Sequence, residues 1–174
     1  MTWNIDPAHS HAAFSIRHMM VSTVKGHFNV LSGTLNIDEA NPTNSSVEAE
    51  VDAASIDTNE PDRDKHLRSP DFFDVEKYPK ITFKSTKVEA AGDNEYKVTG
   101  DLTMHGVTKP VVFDIEYSGV IKDPYGFRRA GLNAKTKISR KEWGLTWHAL
   151  LETGGAIVGG EVKIELDVEA VMKA

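Results

Sequence analysis

Seven histidines and no cysteine bound the chemistry this sequence can carry. The missing thiols exclude disulfides, cysteine nucleophiles, iron–sulfur clusters and cysteine zinc sites. His9 and His11 stand two apart, which on a strand puts them on one side, the only local pair with ligand-like spacing. His18, His27, His66, His105 and His148 are scattered, and no two histidines bracket a glutamate at helical zinc-site spacing. Ser10 lies between His9 and His11, but neighbouring strand residues face opposite ways, so no serine–histidine dyad forms there. There is no Gly-x-Ser-x-Gly elbow. The glycine-rich stretch Gly154 to Gly160 lacks the Lys-Ser or Lys-Thr of a phosphate loop and runs into Glu161, which would repel phosphate. It reads as a flexible connection or bulge entering the last strand. Two readings of the histidines stay open. One is a histidine-dependent metal protein or enzyme using His9 and His11. The other is a set of hydrogen-bonded histidines at strand ends, with no catalytic residue, no metal and no cofactor.

A second polar cluster is Arg63-Asp64-x-His66-Leu67. Thr58 or Asn59 can cap a helix here, Pro61 suits its first turn, Glu60 and Asp62 favour its positive end, and Pro70 stops it. The helix is mostly polar, with Leu67 its one large apolar residue, and Phe72-Phe73 follows in a loop. Such a cluster is either a solvated face with a structural salt bridge or a polar lid over a barrel mouth that holds an anionic head group. Arg63, His66 and His18 are the head-group candidates.

The elements that must position these residues are strands. Val162, Ile164, Leu166, Val168 and Ala170 alternate with Glu161, Lys163, Glu165, Asp167 and Glu169, the signature of a strand with one dry face. Similar alternation runs through Phe14 to His18, Phe28 to Ile37, Val47 to Ala53, Ile81 to Phe83, Tyr96 to Met104, Val111 to Tyr117 and Ala134 to Ile138, about eight or nine strands. The stretch from Gly26 to Asp38 reads as one strand with a bulge where alternation slips at Ser32-Gly33, and Lys109 to Lys122 as another long, interrupted strand. Turn residues fall between them at Asn41-Pro42, Gly92-Asp93-Asn94 and Asp123-Pro124-Tyr125-Gly126. Long antiparallel strands with one dry face close into a barrel, which removes exposed edges. An eight-stranded barrel is either filled by side chains or holds one small ligand. The dry face mixes bulky residues with Ala49, Ala53, Gly100, Gly119 and Ala134, so both outcomes stay open.

Composition narrows the partners. The chain has 174 residues and a net charge of −6, which argues against nucleic acid and anionic lipid surfaces. One domain over residues 1–174 is expected. No stretch approaches the ~18 apolar residues of a membrane span. No signal peptide is visible at the start, so a cytoplasmic location is expected unless a leader was removed.

The motifs resemble those of the YceI-like, polyisoprenoid-binding family. They are Trp3-x-Ile5-Asp6-Pro7-x-His9-Ser10, Phe14 to His18, Gly26-His27-Phe28, Asp57-Thr58, Arg63-Asp64-x-His66-Leu67, Phe72-Phe73-Asp74 and Tyr78-Pro79-x-Ile81-x-Phe83. Then follow Gly100-Asp101-Leu102-Thr103-Met104-His105-Gly106-Val107-Thr108-Lys109-Pro110, Ile138-x-Arg140 and Trp143-Gly144. The resemblance implies an all-β, eight-stranded antiparallel lipocalin-like barrel with an apolar lumen and one or two short helices in covering loops. It implies binding, without catalysis, of a long-chain isoprenoid lipid such as a polyprenyl phosphate or a quinone, for storage, transport or sensing. It also implies a homodimer. Many members carry a periplasmic leader, and none is visible here. On this reading Phe14, Ile16, Phe28, Phe83, Leu102, Met104, Phe113, Ile115, Trp143, Trp147, Ile164 and Leu166 line the lumen or its mouth.

Overall fold

The computed structural model describes residues 2–18, 22–145 and 158–172. Its strands are β1 (Thr2–Ile5), β2 (His11–His18), β3 (Ser22–Phe28), β4 (Leu31–Asn36), β5 (Ser46–Asp52), β6 (Ile56–Asp57), β7 (Lys80–Gly92), β8 (Glu95–Met104), β9 (Val107–Lys122), β10 (Arg128–Ser139) and β11 (Val158–Met172). Between β6 and β7 lies the helix α1 (Pro61–Arg68). Neighbours run β1-β4-β5-β7-β8-β9-β10-β11, and β11 pairs back onto β1, closing an eight-stranded antiparallel barrel of the lipocalin-like kind.

The early strands are interrupted halves of longer ones. β1 and β2 both pair with β11, Ile5 opposite Ala170 and His11 opposite Asp167, with a 3-10 turn at Pro7–His9 between them. β3 pairs with β2 and β4 with β1, so these two also follow one course around the barrel. The slip expected at Ser32-Gly33 is not there. The β4–β5 ladder runs unbroken from Leu31 opposite Val51 to Asn36 opposite Ser46. The break falls at Asn29-Val30 instead, because Phe28 and Leu31 both turn inward and the odd spacing between them cannot be met by a regular strand. β9 carries a bulge: Gly131 faces Gly119 and Leu132 faces Tyr117, leaving Ser118 unmatched.

Alternation explains the core. Val98, Leu102 and Met104 of β8, Val111 and Phe113 of β9, and Val168 and Ala170 of β11 are all buried. The core forms two clusters stacked along the strands. One gathers Phe72, Phe73, Leu102, Val111, Phe113 and Trp143, and the other Trp3, Leu31, Leu35, Ala130 and Val168. No helix among the described residues is long and apolar enough to cross a membrane.

Candidate lipid-binding lumen

The site is built around α1. Neither Thr58 nor Asn59 caps it. Glu60 does, its carboxylate accepting from the backbone N–H groups of Asp62 at 3.2 Å and Arg63 at 3.1 Å. Thr58 is buried for another purpose: its backbone N–H (2.9 Å) and its hydroxyl (2.5 Å) both donate to Asp64 Oδ1. Arg63 in turn donates from Nε to Thr58 Oγ1 and from Nη2 to the Thr58 carbonyl, each at 2.8 Å. This relay fixes the guanidinium along the barrel wall. After the helix, the N–H of Phe73 returns to the Leu67 carbonyl at 3.0 Å, which turns Phe72 and Phe73 inward.

The lumen has two chambers. The first, of about 200 Å³, lies under α1 and the Phe72-Phe73 loop. Phe14, Ile16, Phe28, Phe83, Leu102, Met104, Phe113, Ile164 and Leu166 line it, together with Arg63 and Arg140. The second, of about 340 Å³, is lined by Ile115, Leu35, Ile37, Tyr96 and Tyr117, with Asp38 and Glu39 at its edge. Phe83, Phe113, Leu166 and Ala49 face both. The rings fit because the strand opposite gives way: a Cβ at Gly26 would stand 2.4 Å from Phe14 Cζ. Burial pushes the Tyr117 phenol up, with the nearby Glu39 charge adding to the effect.

Two expected residues fall elsewhere. Trp143 lines neither chamber. It is 1% exposed in the core, its indole N–H donating to the Leu102 carbonyl at 3.0 Å, because the chain leaves β10 into a 3-10 turn at Arg140–Trp143 that brings the indole onto the β8 backbone. His66 also lines neither chamber. It lies on α1 with Nε2 3.6 Å from Asp71 Oδ2. Trp147 and the side chain of His18 lie outside the described residues.

Arg140, Phe72 and Phe73 join the wall although composition and spacing did not single them out as lumen residues. Arg140 is 2% exposed, and burial pulls its guanidinium below the usual arginine range. Its Nη1 donates to the Leu145 carbonyl. The signal was available. Ala134 and Ile138 are buried in the core, and one more step of two reaches Arg140.

His9 does not share a strand with His11, because Asp6 caps the 3-10 turn that holds it. His9 Nδ1 is 2.8 Å from Asp6 Oδ2 and 3.5 Å from Glu169 Oε2, a grouping of metal-like spacing. The cation there is already supplied. Arg129 Nη1 donates to Asp6 and to Glu169 at 3.0 Å each, and its Nε to Asp123 at 2.8 Å. The His9 hydrogen bond, and then Arg129, hold Asp6 below the usual carboxylate range, and Arg129 does the same to Asp123. Carboxyls depressed by folding add stability that is complete above their unfolded value near pH 4 and is lost as pH falls through the folded value. Replacing Arg129 with Met should therefore lower Tm at pH 7 and flatten its fall below about pH 4. A thermal-melt series checks this, and unchanged acid dependence would refute the assignment. Added zinc should leave the wild-type melt unmoved.

Comparisons with known proteins agree with the barrel. The family model of the YceI-like domain matches residues 3–170. A UPF0312 protein of Vibrio cholerae serotype O1 is 42% identical over 166 residues, 95% of this chain and 84% of the relative. The crystal structure of BcnA from Burkholderia cenocepacia superposes with a TM-score of 0.84 at 25% identity, covering 95% of this chain and 98% of that one. A polyisoprenoid-binding domain from Saccharophagus degradans, implicated in plant cell wall breakdown, shares the fold at a TM-score of 0.76 and 16% identity, covering 98% of both chains.

Proposed function

The chain belongs to the YceI-like family, and on that premise we propose that it binds a long-chain isoprenoid lipid in its lumen, without catalysing a reaction on it. The observation that carries this reading is the wall itself, apolar side chains through both chambers with Arg63 and Arg140 together in the first. An isoprenoid suits it, since each five-carbon unit buried is worth about 4 kcal/mol at about 0.8 kcal/mol per carbon. The polyisoprenoid-binding domain that shares the fold supports the same ligand class. The two guanidiniums suit an anionic or carbonyl head group, as in a polyprenyl phosphate or a quinone, since buried hydrogen bonds from charged donors are the strong ones. Arg63 is held in place by Thr58 and Asp64, so it is preorganised for that contact.

Native mass spectrometry of the purified protein tests the class: an apolar adduct of several hundred daltons is expected, and bound zinc without lipid would overturn it. Titration with farnesyl phosphate against farnesol tests the head group. Arg63→Met and Arg140→Met should each weaken the phosphate by about 10- to 150-fold, the worth of one charge-assisted hydrogen bond, and leave the alcohol within about twofold. Equal loss of both ligands would reject the head-group role.

A further inference from the structure

The two chambers meet at a waist. Phe83 of β7 and Phe113 of β9 stand edge to face there, ring centroids 5.0 Å apart and planes at 81°. Both rings, with Ala49 and Leu166, belong to the walls of both chambers. The surroundings of Phe83 are unusually small. Ala49 is its direct cross-strand neighbour on β5. On the other side a Cβ at Gly100 would stand 2.5 Å from Phe83 Cζ, so only glycine leaves the ring its place against the wall.

The volumes give the waist a consequence. A cavity of about 150 Å³ takes up benzene, or about 25 Å³ per carbon. By that measure the 200 Å³ chamber holds about eight carbons and the 340 Å³ chamber about fourteen. The larger alone takes about three isoprene units, and the two joined take about four. A chain of four units must pass the waist that Phe83 and Phe113 flank.

We infer that the Phe83–Phe113 pair gauges the chain length the lumen accepts, and that Phe83 is its moving part. The inference rests on the lumen binding an isoprenoid. Free alcohols of up to about three units sit in the larger chamber and leave the aromatic pair closed, whereas a chain anchored by its head group in the first chamber crosses the waist once it exceeds about eight carbons. A four-unit chain threads the waist by swinging Phe83 toward Ala49, the gap that a methyl side chain leaves. Breaking an edge-to-face pair weakens such a ligand by up to about tenfold relative to an open waist.

Two variants move the gauge in opposite directions. Phe83→Ala removes the gate, and Ala49→Leu fills the gap into which the ring swings. The measurement is the affinity of each protein for farnesol, with three units, and geranylgeraniol, with four. Ala49→Leu narrows both chambers and should weaken geranylgeraniol by at least about tenfold more than it weakens farnesol. Phe83→Ala should bind geranylgeraniol up to about tenfold better than wild type, with a smaller gain for farnesol. Thermal melts identify a variant that has failed to fold, and Ala49→Ile then replaces Ala49→Leu. If wild type and both variants show the same farnesol-to-geranylgeraniol ratio, the gauge is overturned while the lipid-binding reading stands. If wild type takes up neither alcohol nor farnesyl phosphate, the lipid-binding reading fails and the gauge fails with it.

Discussion

Replacing Trp143 with alanine should destabilise the protein by about 3–5 kcal/mol in a urea titration. The ring is 1% exposed and sits among Leu102, Met104 and Ile138 in the first core cluster. Its removal leaves a cavity that the surrounding strands, bonded on both sides, cannot collapse. It also takes the indole hydrogen bond from the Leu102 carbonyl, worth about a further 1 kcal/mol. Domain stabilities run from about 5 to 15 kcal/mol, so the variant is expected to unfold at far lower denaturant. Trp143→Phe separates the two contributions, since it keeps much of the volume and loses only the donor. The same 3-10 turn presents Arg140 to the lumen, so Trp143→Ala should also weaken the preference for farnesyl phosphate over farnesol. A loss below about 1 kcal/mol would mean that the ring is not a core plug.

Phe113→Arg should abolish uptake of apolar ligands by both chambers. Phe113 is buried and faces both, and an arginine there stays charged at every accessible pH. Arg63 and Arg140 donate to Thr58 and the Leu145 carbonyl, whereas a guanidinium set among the apolar side chains around position 113 draws in water, and a lumen hydrated there no longer rewards burial of a hydrocarbon chain. Losing the burial of a single isoprene unit, about 4 kcal/mol, is already close to a thousandfold in affinity. Fluorescent-probe displacement measures the affinity, and circular dichroism shows whether the barrel persists. Phe113→Leu, with no charge, should retain uptake. Retained uptake by a folded Phe113→Arg protein would remove the lumen as the site.

Much of the wall was legible because alternation is a local property. Successive Cβ atoms on a strand point to opposite faces, so Leu102 and Met104, or Ile164 and Leu166, could be placed on the dry face from spacing alone. The errors fall where local rules meet tertiary demands. Glu60 caps α1 although a glutamate is a weak cap, because Thr58 is drawn into the interior by Asp64 and Arg63. His9 looked like half of a strand pair until Asp6 capped a 3-10 turn around it. Trp143, an aromatic just past an inward-facing run, reads as wall, yet the 3-10 turn brings its indole onto the β8 backbone in the core.

The family resemblance and the barrel class follow from motif order and period two, both of which live in short stretches of chain. The residues facing inward follow from the same period, and so would Arg140 have done. Closure depends on β11 finding β1 from the far end of the chain. Only that closure brings Arg63 of α1 and Arg140 beyond β10 onto one chamber, and sets Phe83 of β7 against Phe113 two strands away. Spacing along the chain tells which way a side chain points. What it meets across the lumen is decided by non-local strand pairing, and there the chambers, their waist and their charged end are made.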